Sequence, residues 1–178
     1  LLSLIDDLLD LSCVEMGKQT LVEEMVPLRA IVDECVKMVR KKVETYDHVL
    51  DIAELPAVEV NCDQTKIRQV LINLLSNAIK FTGEGGLIEL LSEMDEEGLW
   101  LHVTDSGPGI PDTDQDRIFE PFRQAQTTAL SGEGGVGLGL SLARSFAELH
   151  GGRIEVYSKV GRGTCMSVLV PAKRITPL

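Results

Sequence analysis

The sequence lacks the long apolar run that a membrane span requires. Of its 178 residues, 44% are hydrophobic, but no apolar stretch approaches the roughly 18 residues that cross a bilayer, and no signal peptide is visible. It also lacks an excess of positive charge, because it has 17 Lys and Arg residues and 28 Asp and Glu residues, which give a formal net charge of −11. Sequence-independent contacts with nucleic acid or an anionic membrane need clustered basic side chains. We therefore expect no nucleic-acid partner and no membrane contact by this chain.

Closely spaced cysteines are absent as well. The cysteines stand far apart with no CxxC spacing, and the histidines share no spacing with them; these residues are Cys13, Cys35, Cys62, Cys165, His48, His102 and His150. This distribution excludes a metal site built from soft ligands. It favours free, mostly packed thiols in a reducing compartment over a disulfide or zinc site. We therefore expect a cytoplasmic location, with any inner-membrane anchor lying upstream of this chain.

The first residues carry a helical pattern. The chain begins at Leu1 without an initiator Met, so we expect it to be a piece of a longer protein. Apolar residues recur through Leu1–Met16 more densely than a lone surface helix requires. A partner helix, from a second copy or a missing segment, would explain this density, and docking on its own domain is the alternative. Gly17–Gln19 breaks the pattern. We expect three parts: a helix over residues 1–18, one domain over 19–172 and a tail over 173–178.

The remaining periodicity predicts an α+β fold. Helices are expected at Leu28–Val43, Ile67–Thr82 and Leu140–Leu149, with strands at Thr20–Val26, Val49–Ile52, Val58–Val60, Leu87–Met94, Leu99–Thr104, Arg153–Tyr157 and Thr164–Val170. A long polar, glycine-rich loop spans Asp105–Gly139, and a loop of that length inside a domain is disordered or functional. We predict a two-layer α/β sandwich, with one mixed sheet and helices on one face.

The helix predicted at Ile67–Thr82 carries an unusual polar stripe. Its apolar residues recur at three-to-four spacing, while Asn73, Asn77 and Lys80 fall together on a second face. An Asn oxygen is a neutral hard ligand suited to Mg²⁺, and a nearby Lys offsets phosphate charge. The face therefore suits a metal ion with phosphates, or it is a solvated face that happens to carry Asn.

Two glycine-rich segments add to this pattern. Asp105–Pro111 follows a strand directly, where glycines let the backbone approach a ligand and a carboxylate can accept a hydrogen bond from an exocyclic amine such as that of adenine. An ordinary tight turn is the alternative. Gly134–Ser141 opens a helix, and its backbone amides suit an anion. It is neither a P-loop nor a Rossmann turn, because no Gly-Lys-Ser/Thr follows it and no strand precedes it.

Five motifs in order carry a family resemblance. They are Asn73-x-x-x-Asn77-Ala-x-Lys80-Phe-Thr, Asp105-x-Gly107-x-Gly109, Phe119-Glu-Pro-Phe122, Gly135-x-Gly137-x-Gly139 and Gly161-x-Gly163-Thr164. The chain resembles the catalytic, ATP-binding domain of bacterial-type sensor histidine kinases, with the Bergerat (GHKL) fold, from about Thr20 to Val170. Residues 1–18 resemble the end of the family's dimerisation helix and its connector.

The resemblance implies that ATP and Mg²⁺ lie between the central helix and the long loop. At the phosphates, Asn77 would bind Mg²⁺, and Asn73 and Lys80 would act catalytically. The other residues implied at the phosphates are Arg123, Gly135, Gly137, Leu138, Gly139 and Leu140. The residues implied at the base are Phe81, Asp105, Gly107, Gly109, Ile110 and Thr164. Phe119 and Phe122 would anchor the loop by packing.

The resemblance also implies a reaction and its partners. In ATP-hydrolysing relatives the position of Asn73 is a Glu that acts as base, and Asn cannot take up a proton. The γ-phosphoryl group would therefore go to a His on the dimerisation domain of a homodimer, and then to a response-regulator receiver domain. His48, His102 and His150 lack the acidic residue that follows the family's acceptor, so we expect that acceptor upstream of this chain.

One departure concerns the loop. It has no basic residue between Gln124 and Gly139, where the family often has one. We expect weaker nucleotide affinity as a result; a role for Arg123 at the γ-phosphate, or a charge supplied by a partner, is the alternative. A pseudokinase that senses ligand without transferring phosphate and an ATPase of the gyrase or Hsp90 kind are the alternative functions.

Overall fold

The computed structural model describes residues 2–123 and 137–178. The helices are α1 (Leu2–Glu15), α2 (Leu28–Thr45), α3 (Gln64–Phe81), α4 (Asp112–Gln115) and α5 (Gly139–Leu149). The strands are β1 (Glu24–Pro27), β2 (Val49–Ile52), β3 (Val58–Cys62), β4 (Leu87–Met94), β5 (Gly98–Asp105), β6 (Arg153–Lys159), β7 (Gly163–Pro171) and β8 (Ile175–Pro177). Short 3-10 turns lie at Arg117–Phe119 and Ala172–Arg174.

A five-stranded mixed sheet forms one layer of the domain. Its order is β2-β4-β5-β7-β6, with β2 parallel to β4 and the other pairs antiparallel. Alternate residues such as Ile88, Leu90 and Val103 are buried beneath α3 and α5, as the period of two in a strand requires. The predicted α+β sandwich of two layers is confirmed.

The prediction of a single sheet is wrong. Strands β1, β3 and β8 form a separate antiparallel sheet of three strands. Strand β8 lies in residues 173–178, which we expected to be a tail, and Val60 pairs with Ile175 there. Arg174 donates to the backbone carbonyl of Asn61 at 2.8 Å. These last residues therefore complete a sheet beside the main one.

Helix α3 positions the polar face that the sequence predicted. Asp63 is its N-cap, and its carboxylate accepts from the amide of Lys66 at 3.1 Å, which satisfies one of the unpaired amides of the first turn. The apolar stripe is buried throughout, at Ile67, Val70, Leu71, Leu74, Leu75, Ala78 and Ile79. Asn73, Asn77 and Lys80 are only partly buried. The amphipathic interpretation of α3 is therefore confirmed.

Helix α1 docks on its own domain along one edge. Leu11 is buried in the core, and the ammonium of Lys66 lies 2.9 Å from the Asp10 carboxylate. Ile5 and Leu9 remain 49% and 60% exposed. Docking on the same chain thus accounts for part of the helix, and a partner helix on its exposed side stays a prediction.

The cysteines agree with the sequence analysis. All four cysteines are free. Cys35 and Cys62 are fully buried, and burial raises the pKa of both thiols to about 12. Among the helices in the described ranges, none is long and apolar enough to cross a membrane.

Candidate functional site

The polar face of α3 contacts the start of α5. The Asn73 side-chain amide donates to the carbonyl of Gly139 at 2.9 Å, and Gly139 is the first residue of α5. A Cβ at Gly139 would lie 3.4 Å from the Asn73 oxygen, which is an ordinary van der Waals contact, so the approach of the two helices does not itself require glycine. The first turn of α5 carries no acidic side chain. Its free amides and the positive end of the helix dipole therefore lie beside the carboxamides of α3.

The segment before α5 is held by a close crossing of backbone. Gly137 has φ of +79°, and a Cβ there would come within 2.6 Å of the Arg123 carbonyl oxygen. The amide of Phe122 donates to the Gly137 carbonyl at 3.0 Å. Phe119 is buried as predicted, but Phe122 is 60% exposed, so the predicted packing role is wrong for Phe122. Gly135, a candidate phosphate residue, lies outside the described residues.

Two cations were candidates for contact with phosphate. The guanidinium of Arg123 lies 2.9 Å from the Glu120 carboxylate, and both side chains are half exposed. Lys80 makes no ion pair with any residue of 2–123 or 137–178, and its ammonium lies 5.0 Å from the centre of the Phe81 ring. Lys80 is therefore the better placed of the two to neutralise an anion on the face of α3.

Asn77 fits a role as a single protein ligand to a divalent cation. Its carboxamide is partly buried and makes no hydrogen bond within the described part of the chain. No group of three or more His, Cys, Asp or Glu side chains that could hold a metal ion occurs in those ranges either. A cation bound here would therefore take most of its ligands from phosphate oxygens and water, which is the usual coordination of Mg²⁺ beside nucleotides.

Asp105 lies at the end of β5, on the helix-facing side of the sheet. Burial raises the pKa of its carboxyl, although the backbone amides of Gly107 and Thr164 oppose that shift. The amide of Gly107 donates to the carboxylate at 2.8 Å. Asp105 and Thr164 stand directly opposite each other on β5 and β7. The site therefore holds a partly desolvated carboxylate, which is a strong acceptor for a ligand's N–H group.

Glycines bring backbone close around this carboxylate. A Cβ at Gly107 would lie 2.8 Å from the carbonyl oxygen of Phe81, the last residue of α3. Gly109 has φ of +74°, and a Cβ there would come within 2.2 Å of the Lys159 carbonyl oxygen. The Asp105–Pro111 segment is thus pressed against the ends of α3 and β6, which explains the need for glycine at both positions.

The other predicted residues divide between packing and the site. Leu138 is buried in the core, so only its backbone is available to a ligand at α5, and Leu140 and Ile110 are partly buried against the core. Two residues that the sequence analysis did not single out, Ser158 and Gln115, hold the backbone of Ile110. No sequence motif marks either residue. Ser158 is 48 residues from Ile110, and Gln115 is near Ile110 in sequence but its second partner, Ser158, is 43 residues away.

Comparisons with known proteins identify the family. Residues 62–174 match the family described as "Histidine kinase-, DNA gyrase B-, and HSP90-like ATPase". The chain belongs to this family, whose nucleotide-binding domain it forms. The resemblance to histidine kinases in particular is also confirmed by its relatives. The circadian input-output histidine kinase CikA of Synechococcus elongatus is 36% identical over 178 residues, which are 98% of this chain and 24% of that protein.

Solved structures agree. Full-length ShkA in complex with AMPPNP superposes with a TM-score of 0.80 at 27% identity, over 94% of this chain and 35% of ShkA. The catalytic domain of histidine kinase ThkA superposes with a TM-score of 0.70 at 30% identity, over 84% of this chain and 95% of that domain. The chain spans 24% of the length of CikA of Synechococcus elongatus and 29% of that of DivJ, so it covers only a small part of these curated relatives.

Proposed function

We propose that this chain is the catalytic domain of a sensor histidine kinase, which binds ATP with Mg²⁺ and transfers the γ-phosphoryl group to a His of the dimerisation domain. The contact between Asn73 and Gly139 carries this proposal. It joins the polar face of α3 to the amide end of α5, and it puts a carboxamide where hydrolytic relatives carry a carboxylate base. That ShkA was crystallised with an ATP analogue supports the choice of nucleotide.

Asp105 would select the base. Its carboxylate is partly buried and held by the Gly107 amide, so it can accept from the exocyclic amine of adenine. Guanine presents an oxygen at the same place, which the carboxylate would repel. Phe81 would lie along the ring. From Phe81 back to Asn73 is about 12 Å along α3, at 1.5 Å per residue, which suits an extended nucleoside triphosphate.

The phosphate end would combine the two helices. The amides of Gly137, Leu138 and Gly139 would donate to phosphate oxygens at the positive end of the α5 dipole, and Lys80 would neutralise charge. Asn77 would hold Mg²⁺, which neutralises charge on the phosphates when it is bound. Catalysis of this kind depends mainly on positioning and charge, for which no acid or base is needed on α3.

The absence of a base would preserve the phosphoryl group. Asn73 cannot accept a proton from water at working pH, and its amide is engaged with Gly139. Transfer of the phosphoryl group to water is therefore not catalysed, and the group remains on ATP until another acceptor binds. We propose that this acceptor is a His upstream of the chain in a homodimer, and that a response-regulator receiver domain then accepts the phosphoryl group on Asp.

The histidines of the chain support an acceptor elsewhere. His150 is 1% exposed and contacts the Phe146 carbonyl at 2.7 Å. His48 is 8% exposed and contacts the Ile79 carbonyl at 2.9 Å. His102 contacts the Ser167 hydroxyl at 2.8 Å. Each imidazole is therefore engaged in the packing of the domain and is poorly placed to attack a phosphoryl group.

Incubation with γ-labelled ATP and Mg²⁺ tests the proposal. We expect no label on this chain alone, and we expect label on a longer chain that carries the upstream helices. Lys80→Ala in that longer chain should lose the transfer while the fold persists. Label on this chain alone would refute the upstream acceptor. Steady phosphate release well above a Lys80→Ala control would indicate an ATPase, and nucleotide binding without transfer by the longer chain would indicate a pseudokinase.

A further inference from the structure

Both backbone groups of Ile110 are held by side chains from other elements. The Ser158 hydroxyl accepts from the Ile110 amide at 2.8 Å, and Ser158 lies on β6. The Gln115 side-chain amide donates to the Ile110 carbonyl at 3.0 Å and to the Ser158 carbonyl at 2.9 Å. Ile110 follows the glycine turn that carries Asp105. Its position beside the candidate base pocket is therefore fixed from two sides.

The hydroxyl of Ser158 has a full set of partners. A serine hydroxyl has one proton to donate and two lone pairs to accept with. The buried Ser158 hydroxyl donates to the Gly163 carbonyl at 2.9 Å and accepts from the Ile110 amide. Its third contact is the Thr164 hydroxyl at 2.9 Å. Since the Ser158 proton is already engaged at Gly163, the proton in this third contact comes from Thr164.

This arrangement sets what Thr164 can offer a ligand. Thr164, on β7, pairs directly with Asp105 on β5 and with Ser158 on β6. The three side chains therefore lie on one face of the sheet. With its proton directed to Ser158, the Thr164 hydroxyl presents only lone pairs on its other side. It therefore accepts, as the Asp105 carboxylate does, and both groups match the exocyclic amine of adenine.

We propose that Ser158 is a positioning residue that determines base specificity, because it turns the Thr164 hydroxyl into an acceptor and fixes Ile110 beside the base. This inference rests on the proposed function, since it assumes that the base lies next to Asp105. Removal of the Ser158 hydroxyl frees the Thr164 proton, which then turns toward the pocket and donates to the oxygen of guanine. Discrimination between ATP and GTP weakens as a result.

The test is calorimetric titration of the chain with ATP and with GTP in the presence of Mg²⁺. For Ser158→Ala we expect ATP to bind about tenfold more weakly, because the partly buried Ile110 amide loses its partner. We expect the ratio of the GTP and ATP dissociation constants to fall by a similar factor. Gln115→Ala loosens Ile110 but leaves the Ser158–Thr164 contact in place, so ATP binding weakens and the ratio holds. The control is Ser167→Ala, whose hydroxyl contacts His102 and Cys165, and it should change neither value.

The possible outcomes distinguish a failure of this inference from a failure of the proposed function. A parent chain that binds no ATP overturns both. A parent that binds ATP, with an unchanged GTP-to-ATP ratio in Ser158→Ala, overturns the inference alone, because a purely structural role would weaken both nucleotides equally. If Ser158→Ala does not fold, Thr164→Val tests the acceptor instead, because it removes the Thr164 hydroxyl, and an unchanged GTP-to-ATP ratio in that variant would overturn the inference. Gln115→Ala, whose side chain is only partly buried, tests the positioning of Ile110 alone. ATP binding by Gln115→Ala equal to that of the parent would overturn the positioning of Ile110.

Discussion

Replacing Gly109 by Ala would place a methyl carbon 2.2 Å from the Lys159 carbonyl oxygen. Contacts of a real Cβ below 3.0 Å are essentially never seen, so the backbone of one segment has to move by nearly an ångström. The two segments are the turn that follows Asp105 and the end of β6. The substitution therefore acts on the wall of the proposed base pocket without changing any side chain that would contact the ligand.

Gly161 provides a matched control for the size of this effect. Both glycines have positive φ, +74° at Gly109 and +77° at Gly161, but a Cβ at Gly161 has no neighbour within 4 Å. An L-residue in the left-handed region costs about 1–2 kcal/mol, and both alanine variants carry that cost. Gly109→Ala also carries the overlap with Lys159, for which forced backbone shifts suggest about 1–3 kcal/mol more.

Urea unfolding followed by circular dichroism measures the difference. We expect Gly161→Ala to lower the free energy of unfolding by about 1–2 kcal/mol and Gly109→Ala by about 2–5 kcal/mol, with equal slopes against urea. We also expect only Gly109→Ala to weaken ATP binding under conditions where both variants are folded. Equal midpoints for the two variants would show that the close approach of Gly109 to Lys159 is wrong.

Three further predictions concern other parts of the molecule. Asn77→Ala should lose Mg²⁺-dependent nucleotide binding with an unchanged urea midpoint, and retention of binding measured by calorimetry would remove Asn77 from the metal site. Asp105→Asn should bind ATP and GTP more equally. The folded state raises the pKa of this carboxyl, so the parent loses stability as the carboxyl ionises with rising pH. The variant should therefore be more stable than the parent toward neutral pH and lose this advantage in acid. Lys66→Met removes the partner of Asp10. It should speed hydrogen exchange in α1 and destabilise the domain by about 1 kcal/mol or less. The control variant Arg29→Ala, at an exposed ion pair on α2, should do neither.

The local part of this fold could be predicted from the sequence. The register of α3 follows from the spacing of its apolar residues, and that register alone puts Asn73 and Asn77 on one side. The N-cap contact of Asp63 is also local, because its carboxylate accepts from the amide of its near neighbour Lys66. Asp105 was placed at a strand end by the glycines that follow it. Each of these conclusions needed only residues within one or two turns of chain.

The long-range part could not be predicted. Ser158 and Ile110 are 48 residues apart, and a serine in a strand gives no sign of the amide that it will accept from. The separate sheet depends on Ile175 returning to pair with Val60, and a strand of three residues is too short to show a period of two. The docking of α1 depends on the contact of Asp10 with Lys66, 56 residues away. Such contacts are fixed by the packing of the whole domain.

Titration calorimetry of the chain with ATP, first with Mg²⁺ and then with a chelator, is the sharpest test of the proposed nucleotide site. We expect binding that requires Mg²⁺, that is lost in Asn77→Ala, and that persists through the titration because the nucleotide is not hydrolysed. Absence of binding at millimolar ATP, or equal binding in the presence of the chelator, would contradict a site made from the polar face of α3 and the start of α5.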